Sequence, residues 1–163
     1  MASQLRNLRL TAAALLLIFS STLPSPVAAE SAGQTAGLIG KTAGLCGITS
    51  AFSIQVTNAD WQKTLLGVDA AGMWVVVIAD VTNTGERPDI PFGLLDLRDE
   101  QGRVFSQFVG DDAARFAVEL PPTYGVTTGH ILQPGSSGQA LWVYDVAPDV
   151  GSLDLAPNPL FCK

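Results

Sequence analysis

The sequence predicts an all-β domain, an antiparallel sandwich of about seven short strands. Apolar and polar residues alternate with a period of two, turn residues recur about every 8–12 positions, and no long stretch has helical periodicity. The chain has 163 residues, which is enough for one domain. It is 47% hydrophobic and only 15% charged, a composition that excludes a disordered acidic chain.

The first 29 residues have the composition of a secretory signal peptide. Arg6 and Arg9 precede an apolar run over residues 10–19, and small residues follow at Val27 and Ala29. This order predicts cleavage after Ala29. The apolar run is shorter than the about 20 residues that span a bilayer. We therefore expect a secreted protein, extracellular or periplasmic, with no stable membrane anchor after cleavage.

The mature chain begins with a segment that has no sustained alternation. Residues 30–45 are rich in Gly, Ala, Ser and Thr, which predicts a flexible leader before a domain over residues 46–163. Cys46 and Cys162 lie near the two ends of that domain. Two cysteines in a small secreted domain are usually paired, so we expect a disulfide bond between them.

The first half of the domain predicts two strands, over residues 48–57 and 73–83. The second has the density of β-branched residues that is typical of a central strand. Its residues Val75 and Val77 share the expected core face. Trp74 lies on the opposite face, which is also apolar, so this strand is either covered on both sides or exposes an aromatic patch.

The second half predicts five further extended segments, at residues 94–97, 103–108, 125–132, 140–146 and 152–155. The first two flank a turn over residues 99–102 and form a hairpin. Residues 111–120 favour one or two helical turns, which Pro121 and Pro122 should end. Seven short strands with this turn spacing indicate an immunoglobulin-like β-sandwich.

Four of these segments resemble a known family. They are Trp74-Val-Val-Val-Ile-Ala-Asp-Val-Thr-Asn-Thr-Gly85, Leu95-Asp-Leu-Arg-Asp-Glu-Gln-Gly102, Leu132-Gln-Pro-Gly135 and Leu141-Trp-Val-Tyr-Asp-Val-Ala-Pro148. Together they resemble the DUF4352 family of secreted bacterial proteins, over roughly residues 48–156. The resemblance implies an immunoglobulin fold akin to the mycobacterial immunoprotective extracellular antigens. It brings no catalytic residues with it.

Charge and histidine content narrow the classes of function. The formal net charge is −6, and nucleic acid is not an expected partner because phosphate binding needs a basic face. His130 is the only histidine. No Gly-x-Ser-x-Gly motif accompanies it, and copper or zinc centres need more Cys and His ligands. We expect no enzymatic activity and no cofactor.

Acidic residues supply the ligands of a conceivable calcium site. Asp96 and Asp99 lie at the predicted hairpin turn, and Asp111 and Asp112 lie in the next loop. Calcium binds oxygen ligands, so a site could form if the two segments lie side by side. The competing interpretation is ordinary turn and helix-cap chemistry. No metal site is therefore assigned.

These observations predict a secreted, non-catalytic β-sandwich that binds an extracellular protein or a small ligand. Trp61, Trp142 and Tyr144 would form its binding surface if they are exposed, because exposed aromatic rings mark recognition surfaces. Burial in the core is the alternative for all three. Two other functions stay open: a calcium-dependent acidic binding module, and a hydrolase with an unrecognised site.

Overall fold

The computed structural model of the protein describes residues 37–46, 51–91, 95–127 and 130–157. The elements that lie wholly within these residues are seven strands and one helix. They are β1 (Thr42–Cys46), β2 (Ala51–Leu65), β3 (Val68–Asn83), β4 (Leu95–Asp99), β5 (Val104–Phe105), helix α1 (Ala113–Thr123), β6 (Ser137–Val146) and β7 (Leu153–Pro157). Each pair of neighbouring strands is antiparallel. The predicted all-β antiparallel sandwich is confirmed.

The strands divide into two sheets of four and three. One sheet has the order β1-β2-β3-β6, and the other has the order β5-β4-β7. Constant-type immunoglobulin domains also have four plus three strands, but their larger sheet holds the first, second, fifth and fourth strands in sequence. Here the first three strands stay in one sheet, because β2 and β3 form one long hairpin.

That hairpin is longer than the sequence pattern suggests. It turns at Leu66 and Gly67, which both have positive φ, 49° and 80°, as a two-residue hairpin turn requires. The pairing register shifts twice, between Val56 and Asn58 and between Gln62 and Thr64. After each shift, the buried residues of β2 no longer continue the alternation of buried and exposed positions that precedes it. The alternation therefore fades after Val56, although β2 continues to Leu65.

Residues 70–72 of β3 lie opposite the second register shift, and side chains from both neighbouring strands bond to their backbone. Lys63 Nζ on β2 donates to the carbonyls of Ala70 and Gly72, at 3.2 and 2.7 Å. Asp145 on β6 accepts the backbone N–H groups of Ala71 and Gly72, both at 2.9 Å. A Cβ at position 72 would lie 1.8 Å from the Val146 carbonyl oxygen, so only glycine fits there.

Apolar residues form two separate clusters. The larger one lies between the sheets and contains Val75 and Val77, as predicted. The smaller one lies on the outer face of the four-stranded sheet, where Trp74 is only 2% exposed. Phe116 and Leu120 of α1 pack against it there. The central strand is thus covered on both sides, which settles the alternative left open for its outer face.

Residues 37–45, the described part of the flexible leader predicted over residues 30–45, pack against the domain. Leu38 is completely buried in the core between the sheets, and β1 pairs with β2 from Thr42 onward. Lys41 forms an ion pair with Asp154 of β7, at 3.0 Å. The small residues of β1 show no alternation of apolar and polar side chains, so the sequence does not predict this strand. Its backbone pairs with β2, which holds it in extended conformation. The predicted signal peptide lies outside the described residues.

Two further predictions differ from the structure. The helix continues through Pro121 and Pro122 to Thr123, because prolines in the last turn remove N–H groups without ending the packing of Leu120 and Pro121. The predicted strand over residues 125–132 is reduced, within its described part, to one bridge between Asp89 and Leu132. Within the described ranges, no helix is both long and apolar enough to cross a membrane.

Candidate functional site

A groove of about 550 Å³ lies along the outer edge of β6. Six consecutive residues of that strand, Ser137 to Trp142, line it. β6 is the last strand of the four-stranded sheet, so this side of it faces away from β3. The other described lining residues are Ile90, Pro91, Gln107, Ala117, Pro121, Thr127, His130 and Leu132. We call this site the β6 groove.

Helix α1 forms one wall of the β6 groove. Its residue Phe116 packs edge-on against Trp74, with ring centroids 5.4 Å apart, and Phe108 packs on the same tryptophan at 4.9 Å. This contact fixes the helix over the sheet. Ala117 and Pro121 follow one turn apart and face the groove. Proline has no N–H, so the Ala117 carbonyl lacks its usual helical donor.

Two loops form the opposite wall, and Asn83 holds them together. This buried side chain donates from Nδ2 to the carbonyls of Arg87 and Leu132, at 2.7 and 2.8 Å. Its Oδ1 accepts the N–H of Gly85 at 2.9 Å. Asp89 and Leu132 exchange two backbone hydrogen bonds, at 3.1 and 2.8 Å. Leu132 is therefore fixed where it lines the groove.

The polar groups of the groove are mostly uncharged. Gln139 donates to Asp80 at 3.2 Å, and the Ser137 hydroxyl lies 2.7 Å from the Thr82 hydroxyl. His130 is exposed at the rim and is the only ionisable residue among the described lining residues. The arrangement provides apolar surface with a few hydrogen-bonding groups, which is the chemistry of a binding site.

The arrangement does not assemble a catalytic triad from the described residues. A triad needs a serine bonded to a histidine and an acid bonded to the same histidine. Ser137 is instead bonded to Thr82, on the neighbouring strand. No acidic residue lies among the described residues that line the groove with His130.

The three aromatic residues considered as a binding surface are all buried. Trp61, Trp142 and Tyr144 are at most 7% exposed and belong to the cluster between the sheets. The Tyr144 hydroxyl donates to the Leu95 carbonyl at 2.7 Å. Burial raises the pKa of the Tyr144 phenol well above its usual range, and the negative charge of Asp96 raises it further. Their role is packing, and Trp142 alone also touches the β6 groove.

The acidic residues considered for calcium occupy different positions in the fold. Asp96 and Asp99 lie on β4 and are buried, whereas Asp111 and Asp112 precede α1. Asp112 is the residue before the first turn of α1, and its carboxylate lies 3.6 Å from Arg115. Across the described parts of the chain, no three His, Cys, Asp or Glu side chains are placed to hold a metal ion.

Asp99 organises the hairpin turn between β4 and β5. Its carboxylate accepts the backbone N–H groups of Gln101 and Arg103, at 3.0 and 2.8 Å, and the Arg103 Nε at 2.5 Å. Arg103 also reaches Asp149 at 2.9 Å. Burial alone would raise the pKa of Asp99, but its hydrogen bonds and the charge of Arg103 hold that pKa below its usual value.

A second polar cluster links β2 to the chain just after α1. The Tyr124 hydroxyl donates to Asp60 at 2.6 Å. Gln62 Nε2 donates to Asp60 at 2.5 Å and to the Tyr124 hydroxyl at 2.8 Å. Burial raises the pKa of Tyr124 above its usual range, and its hydrogen bond to Asp60 adds to the shift. This cluster secures the end of α1 and lies apart from the described lining of the β6 groove.

Comparisons with known proteins return no relatives for this chain. No family model, no curated protein and no solved structure matches it.

Sequence reasoning considered His130 and Trp142 as functional candidates, and both line this groove. It missed Gln139, Leu141 and Ala117, which carry no chemical motif. Their importance comes from the position of β6 at a sheet edge and of α1 beside it. The only local signal was the strand period over residues 140–146, which predicts a strand and not its place in the sheet.

Proposed function

We propose that this protein is a non-catalytic binding module that acts outside the cytoplasm, with the β6 groove as its binding site. The observation that carries the proposal is the groove itself. Its volume of about 550 Å³ lies within the range of roughly 300–1,000 Å³ for ligand sites, and its walls are mainly apolar. Both walls are fixed, one by Phe116 on Trp74 and the other by Asn83.

The chemistry of the lining favours binding over catalysis. Its described polar groups are hydroxyls, amides and the single imidazole of His130. General acid–base and nucleophilic catalysis need groups that activate one another across hydrogen bonds. Ser137 and Gln139 are bonded to Thr82 and Asp80 of β3 instead.

The location outside the cytoplasm is proposed from the sequence. The signal pattern over residues 1–29 and the resemblance to the secreted DUF4352 family both favour export. The proposed bond between Cys46 and Cys162 would form in an oxidising compartment. Amino-terminal sequencing of the exported protein should start at Glu30. A protein that keeps Met1 and stays in the cytoplasm would contradict this part of the proposal.

The binding proposal is tested by filling the groove. Ala117→Trp places a large side chain into the β6 groove from α1. Val118→Trp is the matched control, since Val118 is the next residue of the same helix and is 72% exposed. Binding is measured by amide chemical-shift changes of the purified protein against a panel of apolar fragments and short peptides.

We expect compounds that shift the amides of β6 in the wild type and in Val118→Trp, and that bind Ala117→Trp at least tenfold more weakly. Compounds that bind the Ala117→Trp variant as well as the wild type would place the site elsewhere. Finding no compound that shifts the amides of β6 would also contradict the proposal.

A further inference from the structure

Within the β6 groove, main-chain groups on the outer edge of β6 have no partner among the residues that the structure describes. Phe108 N–H donates to the Val143 carbonyl at 2.8 Å, so the carbonyl of Val143 points away from β3. Successive residues of a strand direct their N–H and C=O groups to opposite sides. The groups of Leu141 and Gln139 therefore point outward as well, and no residue that the structure describes bonds to them.

An outward row of N–H and C=O groups is the template on which another strand pairs. Six residues of β6 line the groove, a length of about 20 Å at roughly 3.3 Å per residue. That length matches a peptide segment of five or six residues. The main-chain groups thus specify what covers this apolar groove: an extended backbone with its own donors and acceptors.

The walls select among strands that could pair there. Ala117 and Pro121 of α1 rise on one side of the edge, and Ile90 and Leu132 rise on the other. The β6 edge of a second copy would bring its own α1 and loops beside it, which favours a single extended segment as the added strand. The described lining carries no acid and only His130 as an ionisable group, which favours an uncharged, apolar segment.

We propose that the β6 groove binds an extended, uncharged, apolar peptide segment of another protein, which joins the four-stranded sheet as a fifth strand beside β6. This inference rests on the proposed function, because it names the partner class of the same groove. Side chains of the added strand would point alternately toward the two walls, as in other cases of strand addition.

The test removes one outward N–H and leaves the pairing with β3 intact. Gln139 is exposed, and proline is tolerated where the N–H of an edge strand faces solvent. Gln139→Pro deletes that N–H, whereas the control Gln139→Ala deletes only the side chain and its bond to Asp80. The probe is a phage-displayed library of ten-residue linear peptides, selected on the wild-type protein.

Selected peptides are synthesised and titrated by fluorescence anisotropy. We expect about tenfold weaker binding to Gln139→Pro and no more than about a twofold change for Gln139→Ala, the effect of one lost main-chain hydrogen bond. One contrary result is that peptides bind Gln139→Pro and Gln139→Ala equally well while Ala117→Trp still prevents their binding. That result would overturn strand addition, but the groove would remain the binding site. Failure to select any peptide, with fragments still bound, would have the same meaning.

A second measurement does not depend on the folding of Gln139→Pro. Hydrogen exchange of the wild-type amides of Gln139 and Leu141 is compared with and without saturating peptide. Pairing with an added strand should slow both at least tenfold, because outward amides exchange freely until they are bonded. Unchanged exchange at these two amides in the bound protein would overturn the inference.

Discussion

Single polar side chains hold the loops of this molecule in place, and Asn83 is the clearest example. It ends β3 and bonds two loops that have no regular structure, through Arg87, Gly85 and Leu132. The buried amide takes the place of backbone pairing in these loops, because each of its hydrogen bonds satisfies a main-chain group that would otherwise be buried unpaired. Asn83 holds this wall of the β6 groove together with the two backbone hydrogen bonds between Asp89 and Leu132.

Asn83→Ala should therefore lower the free energy of unfolding by about 2–4 kcal/mol, since it leaves several buried groups without partners. The neighbouring Thr84→Ala is the control, because Thr84 is exposed and should change stability by no more than about 0.5 kcal/mol. Urea unfolding followed by tryptophan fluorescence measures both. Equal stability of the two variants would show that the loops are held in another way.

Asp99 makes the stability of the β4–β5 turn depend on pH. Its folded-state pKa is held below the ordinary value of 3.8, mainly by Arg103 against the opposing effect of burial. A lowered pKa contributes stability that is complete above the unfolded value and is lost as pH falls through the folded value. Asp154 shifts in the same direction through Lys41, so both groups act below about pH 4.

Asp99→Asn removes one of these two contributions. The variant should be less stable than the wild type at pH 7, and the difference should shrink as pH falls from 4 toward 2. Urea unfolding at a series of pH values measures this convergence. A constant difference across that range would show that the carboxylate charge is not what stabilises the turn.

Among the described elements, α1 is the one that packs on the outer face of the four-stranded sheet through Phe116 and Leu120. It covers the apolar outer face of β3 and β6. Its contact depends on Phe116 and Leu120, whereas Val118 points to solvent. Without the helix, Trp74 would be exposed on the face where the sequence left its burial undecided.

Phe116→Ala should destabilise the protein by about 3–4 kcal/mol, the cost of a buried phenylalanine and the cavity it leaves. Val118→Ala, two residues along the same helix, should stay within about 0.5 kcal/mol. Amide exchange of α1 should rise with Phe116→Ala even where the sheet remains protected. A sheet that loses protection together with the helix would show that the helix is part of the same cooperative unit.

The strands differ in how far the sequence predicts them, and the reason is physical. Residues 73–83 and 140–146 are dense in apolar, β-branched and aromatic side chains, so their local preference agrees with the fold. β1 has small residues, and its partner β2 supplies the order. The second half of β2 was not predicted, because its register shifts interrupt the two-residue alternation of apolar and polar side chains.

The site was less predictable than the strands, because it depends on where β6 and α1 lie relative to each other in the fold. A sequence pattern assigns Gln139 and Leu141 to a strand, but only the sheet order makes that strand an edge. The aromatic residues considered for recognition, Trp61, Trp142 and Tyr144, are buried in the core between the sheets instead, where large rings bury much apolar area. The proposed binding site therefore uses backbone groups of β6 and not these three rings.

At the scale of the whole molecule, the two ends of the domain meet across the sandwich. β1 and β7 belong to different sheets and lie in contact, and Lys41 beside β1 pairs with Asp154 in β7. Cys46 is the last residue of β1, and Cys162 follows the end of β7 by five residues. An extended segment of that length spans at most about 17 Å, which is the longest gap that the proposed disulfide bond could bridge from the end of β7.

Such a bond would close a loop that contains nearly the whole domain, and the chain-entropy account gives a stabilisation on the order of 4–5 kcal/mol. The double variant Cys46→Ser with Cys162→Ser should therefore unfold at lower urea than the oxidised wild type. A reductant should bring the wild type down to the variant and leave the variant unchanged. If the oxidised wild type has two titratable thiols after denaturation, or matches the variant, the two ends are held by β1, β7 and their ion pair alone.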